Sequence, residues 1–356
     1  MTHVFVSPHP DDAALSCGGL IAGLRELGHN VTIITVFGGG PAAGGELTDY
    51  QRTSLGFGTK ALWPNTEAFR RTAIENDLPV PVAAGGAPAW MAEPDRIAIT
   101  QERANTQARQ FWQRAAWLRN ANVTNAESPD RPLPDTVPGQ GSNEAVDWEA
   151  AEPTEIRQLE DERYAWFAEA SIVQLDLPDA VFRGYDGDDQ LLGEVREDDE
   201  APFELLRREI LRLEPQLVYF PLAVGNHVDH QLCREVGLAM LAEGRRWVMP
   251  GPDLAGRMTF YEDFPYAWWS DFEGPARWTD GRLELPPGVE LQARYADISD
   301  SMERKAAGLR VYASQVQRLF DGERGMLDDL AGYHARVALA GGVEGYAERY
   351  WSPVRA

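Results

Sequence analysis

The sequence contains little cysteine and comparatively little basic charge. Only two cysteines, Cys17 and Cys233, occur among 356 residues, too few for a disulfide framework, and we expect both to be reduced and buried. Lysine and arginine together number 33 against 56 aspartates and glutamates, which gives a net charge of −23. A field of this sign repels nucleic-acid phosphates and anionic lipid surfaces. The composition therefore argues against nucleic acid as a partner.

Long hydrophobic segments and glycine fingerprints are also missing. No run of about 18 apolar residues is present, so we expect no membrane insertion. The first predicted strand begins almost at Met1, which leaves no room for the basic and apolar regions of a secretory signal. Neither G-x-G-x-x-G nor G-K-[ST] occurs, which disfavours a phosphate-binding loop. The expectation is a cytoplasmic protein.

The beginning of the chain follows the pattern of a βαβ unit. An apolar stretch at residues 3–7 predicts a strand, and apolar residues at helical spacing predict a helix over 14–27 that Gly28 ends. A β-branched run at 31–37 predicts the second strand. Such a unit implies parallel strands joined by a right-handed crossover.

Strands and helices also alternate in the second half of the chain. The patterns predict helices at 155–169, 203–213, 231–243 and 301–319, strands at 171–175, 216–222 and 258–261, and a polar, mixed C-terminal segment. We expect one domain over residues 1–356, since no internal repeat is visible and the elements follow one another as in a single α/β sheet.

An irregular insertion is predicted at about 46–155, where Pro, Gly, Ala and Asn are dense and one helix is expected at about 96–118. Its tryptophans, Trp90, Trp112 and Trp117, could line a sugar subsite, but packing against the parent domain is the simpler interpretation.

Two histidine-containing turns carry the chemistry of the sequence. Ser7-Pro8-His9-Pro10-Asp11-Asp12 follows the first strand, and Gly225-Asn226-His227-Val228-Asp229-His230 follows the strand predicted at 216–222. In a parallel sheet the carboxyl ends of the strands meet at one edge, so the two turns are expected to meet there. A catalytic zinc site needs three protein ligands and one open position. His9, Asp12 and one downstream histidine, either His227 or His230, satisfy that count.

The adjacent carboxylates are expected to have different roles. Asp11 and Asp12 point in different directions from a tight turn, so one can bind the metal while the other takes a proton from metal-bound water. The remaining histidines, His3, His29 and His334, have no acidic partner at ligand spacing, and we expect them to be structural or exposed.

The two turns together resemble the LmbE/PIG-L family of zinc-dependent N-acetylglucosaminyl deacetylases. Further similar motifs are Val36-Phe37-Gly38-Gly39, Arg157 with Glu160 and Asp161, Asp176-Leu177-Pro178-Asp179, Tyr261 to Tyr266, and Lys305 with Tyr312-Ala313-Ser314-Gln315. One departure is Ala13, where the family commonly has Glu after the two aspartates. We take that departure to concern the substrate rather than the chemistry.

The resemblance assigns a role to each residue of the two turns. It implies that His9, Asp12 and His230 bind zinc and that Asp11 is the general base. It also implies that His227 is the protonated group that stabilises the oxyanion and protonates the leaving amine, with Asp229 orienting it. An iron(II) ion would fit the same set of ligands.

The sequence therefore predicts a metal-dependent hydrolase that removes an N-acyl group, expected to be N-acetyl, from an amino-sugar conjugate by attack of a zinc-bound water. Together with the βαβ pattern, the resemblance implies an α/β fold, a Rossmann-like three-layer sandwich with a mostly parallel sheet and helices on both faces. Two alternatives stay open: a catalytically silent metal- or sugar-binding protein of the same fold, and an amidase acting on a non-sugar N-acyl substrate. The oligomeric state also stays open, a homo-oligomer included.

Overall fold

The computed structural model describes residues 1–41, 46–56, 153–243, 257–270, 272, 285, 289–320 and 322–355. Most of the predicted insertion, with its expected helix at 96–118 and its three tryptophans, lies outside the described residues. Its first part, residues 46–56, contains a short helix that begins at a capping box, in which Thr48 and Gln51 each accept the other's backbone N–H.

A seven-stranded mixed sheet forms the centre of the described structure. Its strands are β1 Thr2–Ser7, β2 Asn30–Thr35, β3 Ser171–Gln174, β4 Leu217–Pro221, β5 Met258–Tyr261, β6 Val289–Asp297 and β7 Ala347–Arg355. Their order across the sheet is β3-β2-β1-β4-β5-β7-β6. The first five are parallel, and β7 pairs antiparallel with both β5 and β6. The predicted mostly parallel sheet is confirmed.

Helices cover both faces of this sheet. The described helices are α1 Asp12–Glu26, α2 Asp49–Ser54, α3 Pro153–Phe167, α4 Asp188–Leu191, α5 Phe203–Arg212, α6 Val228–Glu243, α7 Tyr266–Trp269, α8 Met302–Leu309, α9 Ala313–Phe320 and α10 Glu323–Gly341. The chain moves outward from β1 to β3 and then returns to β4 on the other side of β1. Right-handed crossovers therefore place α1 and α3 on one face and α5 and α6 on the other. The predicted α/β three-layer fold is confirmed.

The structure differs from the sequence prediction at the helix expected over 301–319, which is two helices. The main chain of Ser314, which a continuous helix would use internally, donates instead to the buried carboxylate of Glu160 over 2.9 Å. The hydroxyl of Tyr312 donates to buried Asp161 over 2.7 Å. These tertiary bonds hold the chain in a turn between α8 and α9.

Two further differences lie near the site and at the end of the chain. Helix α6 begins at Val228, three residues earlier than expected, so Asp229 and His230 lie in its first turn. The C-terminal segment, predicted only as polar and mixed, contains α10 and the strand β7. Both belong to the sheet assembly because β7 inserts between β5 and β6.

The predictions for the cysteines and the outlying histidines are confirmed. Cys17 and Cys233 are free and buried. The ring Nε2 of His3 lies 3.0 Å from Nδ1 of His29, and Nδ1 of buried His334 contacts the carbonyl of Ala347. Among the described residues, no helix combines the length and the apolar character that crossing a membrane requires.

Candidate functional site

The structure brings all six predicted site residues to the carboxyl edge of the sheet: His9, Asp11, Asp12, His227, Asp229 and His230. The first two lie between β1 and α1, Asp12 is the first residue of α1, and the other three lie where the chain passes from β4 into α6. All six are buried. The rule that parallel strands end at a common edge therefore accounts for a meeting of segments that are distant along the chain.

The turn after β1 is held by an internal hydroxyl and contains one strained residue. Ser7 Oγ donates to the carbonyl of His9 over 2.7 Å and accepts the N–H of Ala13 over 2.9 Å. Asp11 has φ 106°, a backbone conformation that costs a non-glycine residue about 1–3 kcal/mol. Its carbonyl nevertheless accepts the N–H of Leu15, which starts α1. The strain directs the neighbouring carboxylates of Asp11 and Asp12 to different partners.

Asp12 lies between two imidazoles at the spacing of metal ligands. Its Oδ2 is 3.2 Å from Nδ1 of His9 and 3.1 Å from Nε2 of His230. Two ligands of a tetrahedral ion bound at 2.0–2.1 Å stand about 3.3 Å apart. The nitrogens of His9, His227 and His230 also lie within 4.8 Å of one another, so a metal-binding group can be drawn from the histidines alone. The donor set is thus nitrogen and carboxylate oxygen, which suits zinc or iron(II).

Each imidazole beside Asp12 has a carboxylate on its other nitrogen. His9 Nε2 is 2.9 Å from Oδ2 of Asp229, and His230 Nδ1 is 2.7 Å from Oδ1 of Asp263. Carboxylates in these positions fix the tautomer that leaves the opposite nitrogen free to bind a metal. The free nitrogens are then His9 Nδ1 and His230 Nε2, the two atoms that face Asp12.

His227 has a different environment. Its Nδ1 accepts the backbone N–H of Asp229 over 3.3 Å, so the neutral ring carries its proton on Nε2. Burial lowers the pKa of His227 well below its usual range, and the nearby imidazoles of His9 and His230 lower it further. The resemblance implied a protonated His227 oriented by Asp229. In the structure Asp229 contacts His227 through its main chain, and its carboxylate binds His9, Ala180 and Arg183 instead.

Asp11 lines the cleft beside the metal-ligand group. Burial raises the pKa of Asp11 to about 8, and the adjacent carboxylate of Asp12 contributes in the same direction. Arg157 opposes both effects, with its Nη2 3.7 Å from Oδ1 of Asp11. The same guanidinium donates to the carbonyl of Pro10 over 3.3 Å and lies 3.5 Å from Asp179. Arg157 therefore holds both the turn and the carboxylate that it carries.

The charges at the centre of the site favour a cation. Burial acts to lower the pKa of His9, but Asp179, Asp12 and Asp229 outweigh it and raise that pKa to about 9. Burial acts in the same way on His230, and Asp12 and Asp263 raise its pKa well above the usual range. The carboxylates thus stabilise positive charge at the position that a metal would take.

A cleft with about 460 Å³ of empty space opens onto this group. Its walls come from the β1–α1 turn, from α2, α3, α4 and the segment around Asp179, from Pro265 and Tyr266, and from Gln315, Arg318 and Leu319 of α9. His9, Asp11, Asp12 and His227 face the cleft, whereas His230 lies behind them and is only 1% exposed. A ligand in the cleft would therefore meet the carboxylate of Asp11 and the imidazole of His227, which are not bound by other carboxylates.

Comparison with known proteins finds the family that the two histidine turns resemble. PIG-L, described as GlcNAc-PI de-N-acetylase, matches residues 4–76. The 2'-N-acetylparomamine deacetylase of Streptomyces fradiae is 25% identical over 363 residues, which cover 99% of this chain and 90% of the relative. The predicted resemblance to the PIG-L family is confirmed.

Solved structures of deacetylases share this fold. The zinc-inhibited form of a teicoplanin deacetylase is 20% identical, with a TM-score of 0.54 over 100% of this chain and 99% of that one. A deacetylase of the A40926 pseudoaglycone is also 20% identical, with a TM-score of 0.53 over 99% of this chain and 97% of that one. At this level of identity the likeness concerns the fold alone.

Several residues of the site were not assigned a role from the sequence. Asp263 directly follows β5, so the strand-end rule that found the histidine turns could have found it as well. Arg157 and Asp179 occur in motifs that the family shares, but spacing gave no sign that they would meet Asp11 and His9. Gln315 belongs to α9, and the break before that helix was not predicted.

Proposed function

We propose that this protein is a metal-dependent hydrolase of the PIG-L type that removes an N-acetyl group from an amino sugar, with zinc as the metal. The observation that carries the proposal is the placement of Oδ2 of Asp12 at 3.2 and 3.1 Å from His9 Nδ1 and His230 Nε2. The carboxylates on the far side of both rings support it, because they turn these two nitrogens toward a common point.

His9, Asp12 and His230 would hold the ion, and the cleft supplies the open position that a catalytic site requires. When bound, the metal lowers the pKa of water and polarises a carbonyl oxygen. Asp229 and Asp263 orient the two ring ligands, and Arg157 holds the turn that carries Asp11.

Asp11 and His227 act on the substrate in this proposal. Asp11 faces the cleft and accepts the proton of the attacking water. His227, with its Nδ1 occupied by a main-chain donor, presents Nε2–H toward the cleft and stabilises the carbonyl oxygen as negative charge develops on it. The proton taken by Asp11 then passes to the nitrogen of the leaving amine as the C–N bond breaks. The second proton of the water leaves with the acid, so the products are a free amine and acetic acid, which ionises to acetate.

The proposed substrate class is an N-acetylated aminoglycoside fragment. The relative from Streptomyces fradiae, which aligns over nearly the whole chain, is a deacetylase of 2'-N-acetylparomamine. The net charge of −23 supports a substrate of this kind, since an acidic protein raises the local concentration of polyamines and speeds their association.

The test replaces Asp11 by asparagine and follows both acetate release from 2'-N-acetylparomamine and bound metal. Loss of a general base typically lowers kcat by about 10²- to 10⁴-fold, while the ligands that hold the ion are unchanged. The matched control is Asp300→Asn, the same substitution at an exposed position, for which full activity is expected. If Asp11→Asn kept its metal and most of its hydrolysis, Asp11 would not be the base.

A further inference from the structure

Gln315 lines the cleft and carries an unsatisfied acceptor. The residue lies in α9, is only 2% exposed and forms part of the cleft wall. Its Nε2 donates to the carbonyl of Leu55 over 2.9 Å and to Oγ of Ser314 over 3.0 Å. Its Oε1 is buried and has no hydrogen-bond partner in the described part of the chain. A buried acceptor in this state costs about 1–3 kcal/mol, so it is expected to meet a donor from outside the protein.

The surrounding hydrogen bonds fix the orientation of the Gln315 side-chain amide. Ser314 gives both its N–H and its hydroxyl proton to Glu160, at 2.9 and 2.5 Å, so Ser314 Oγ can only accept from Gln315. The carbonyl of Leu55 is an acceptor as well. Both protons of the Gln315 amide are therefore committed, and a flipped amide would set oxygen against oxygen at both contacts.

The end of α2 is shaped to make these contacts. Gly56 has φ +93°, in the region that favours glycine. A Cβ at this position would lie 2.6 Å from the carbonyl oxygen of Ser314 and 2.7 Å from Nε2 of Gln315. Only a glycine lets the Leu55 carbonyl approach and hold the amide, so the orientation of Gln315 is built by three separate segments.

We propose that Gln315 is a specificity-determining residue whose Oε1 accepts a hydrogen bond from a neutral donor of the substrate, a hydroxyl or an amide N–H. Arg318 lies three residues further along α9 and lines the same cleft. Its positive charge disfavours an ammonium group beside Gln315, which leaves the uncharged donors. That the donor belongs to an N-acetylated sugar rests on the proposed function.

The experiment measures binding, which does not require turnover. Calorimetry gives the Kd of N-acetylglucosamine, of its single-deoxy analogues, one for each hydroxyl, and of its N-methylated amide, for the wild type and for Gln315→Met. One analogue should bind the wild type roughly 5- to 100-fold more weakly than the parent sugar, because it leaves Oε1 unsatisfied. In Gln315→Met the same analogue and the parent sugar should bind within about twofold of each other, since no acceptor remains.

The comparison between analogues separates recognition from a structural defect. A damaged cleft weakens the binding of every ligand by a similar factor. Loss of the acceptor instead removes the difference in Kd between the parent sugar and the one analogue that lacks the donor. Gln51→Met is the matched control, because Gln51 also donates to a buried carbonyl, that of Val181, but its Oε1 is already bonded. It should keep the wild-type dependence. If Gln315→Met does not fold, Gln315→Glu retains an acceptor oxygen and should also keep it.

Two results would overturn the inference: equal losses for all analogues in wild type and Gln315→Met, or no binding of any of these sugars. Acetate release is measured in parallel. Donor-specific binding without acetate release would contradict the proposed function and leave the role of Gln315 intact. Acetate release without any hydroxyl or amide donor whose binding depends on Gln315 would contradict the role of Gln315 and leave the proposed function intact.

Discussion

Replacement of Asp263 by asparagine should weaken metal binding through the tautomer of His230. In the wild type, Oδ1 of Asp263 is 2.7 Å from His230 Nδ1, and Oδ2 accepts the N–H of Val224 over 2.8 Å. Both contacts require an acceptor. An asparagine side chain has only one oxygen. If that oxygen keeps the hydrogen bond from the Val224 N–H, the NH₂ group faces His230 Nδ1. The ring must then accept at Nδ1 and carry its proton on Nε2, the nitrogen that faces Asp12.

The size of the effect follows from the alternatives open to the variant. The ion can bind only after one of two unfavourable changes. Either the amide of the new asparagine turns, which leaves the Val224 N–H facing an NH₂ group, or His230 moves its proton to Nδ1, where it faces the NH₂ group of the asparagine. Replacement of such a supporting carboxylate typically lowers metal affinity about 10- to 100-fold, or about 1.4–2.7 kcal/mol. Competition for zinc with a chromogenic chelator at constant pH measures this loss directly.

The neighbouring carboxylate provides a control for damage to the fold. Glu262 is also buried, but within the described part of the chain its hydrogen bonds go to Arg349, Tyr333 and Trp351 and not to the histidines of the site. Glu262→Gln should lower the unfolding temperature and leave the zinc affinity of the folded protein unchanged. If Asp263→Asn bound zinc as tightly as the wild type while folding normally, His230 would not bind the metal through Nε2, and the proposed ligand set would be wrong.

Two further predictions concern buried groups away from the site. Lys305→Met should lower the free energy of unfolding, measured by denaturant titration, by about 3 kcal/mol. Its Nζ lies 2.8 Å from Glu348 in the interior, so the substitution leaves a buried carboxylate without its cation. A loss below about 1 kcal/mol would contradict this reasoning. Burial, and secondly the nearby His29, lowers the pKa of His3 to about 4. Below about pH 6.5 the unfolded chain therefore binds more protons at His3 than the folded protein does. Stability should fall as pH drops from about 6.5 to 4, by up to about 1.4 kcal/mol per pH unit. His3→Gln should flatten that part of the curve, and an unchanged slope would assign the acid sensitivity to other groups.

The parts of the structure that the sequence predicts well are those set by local patterns. Strand β1, helix α1 and strand β2 follow directly from apolar spacing and from Gly28, since neighbouring residues determine them. The meeting of His9 with His230 is also predictable, although the residues are far apart in the chain. It needs only the rule that parallel strands end at the same edge.

The unpredicted parts depend on contacts between distant segments. The break between α8 and α9 arises because Ser314 binds Glu160, and nothing in the helical periodicity of 301–319 reveals that carboxylate. In the same way, strand β7 is polar and mixed in sequence because its buried charges have partners from distant segments: Glu348 pairs with Lys305, and Arg349 pairs with Glu262. The role proposed for Gln315 depends on the same break, which brings its amide against the end of α2.

The choice between His227 and His230 as metal ligand illustrates what spacing alone leaves open. Each histidine follows β4, and either completes a three-ligand set with His9 and Asp12. The hydrogen bonds behind the rings distinguish them. His230 gives its Nδ1 proton to Asp263 and turns an unprotonated nitrogen toward Asp12, whereas His227 accepts a main-chain proton at Nδ1 and must keep its own proton on Nε2. A ring in the second state is a donor to a substrate oxygen rather than a metal ligand, so these contacts support His230 at the metal and His227 at the carbonyl that is attacked.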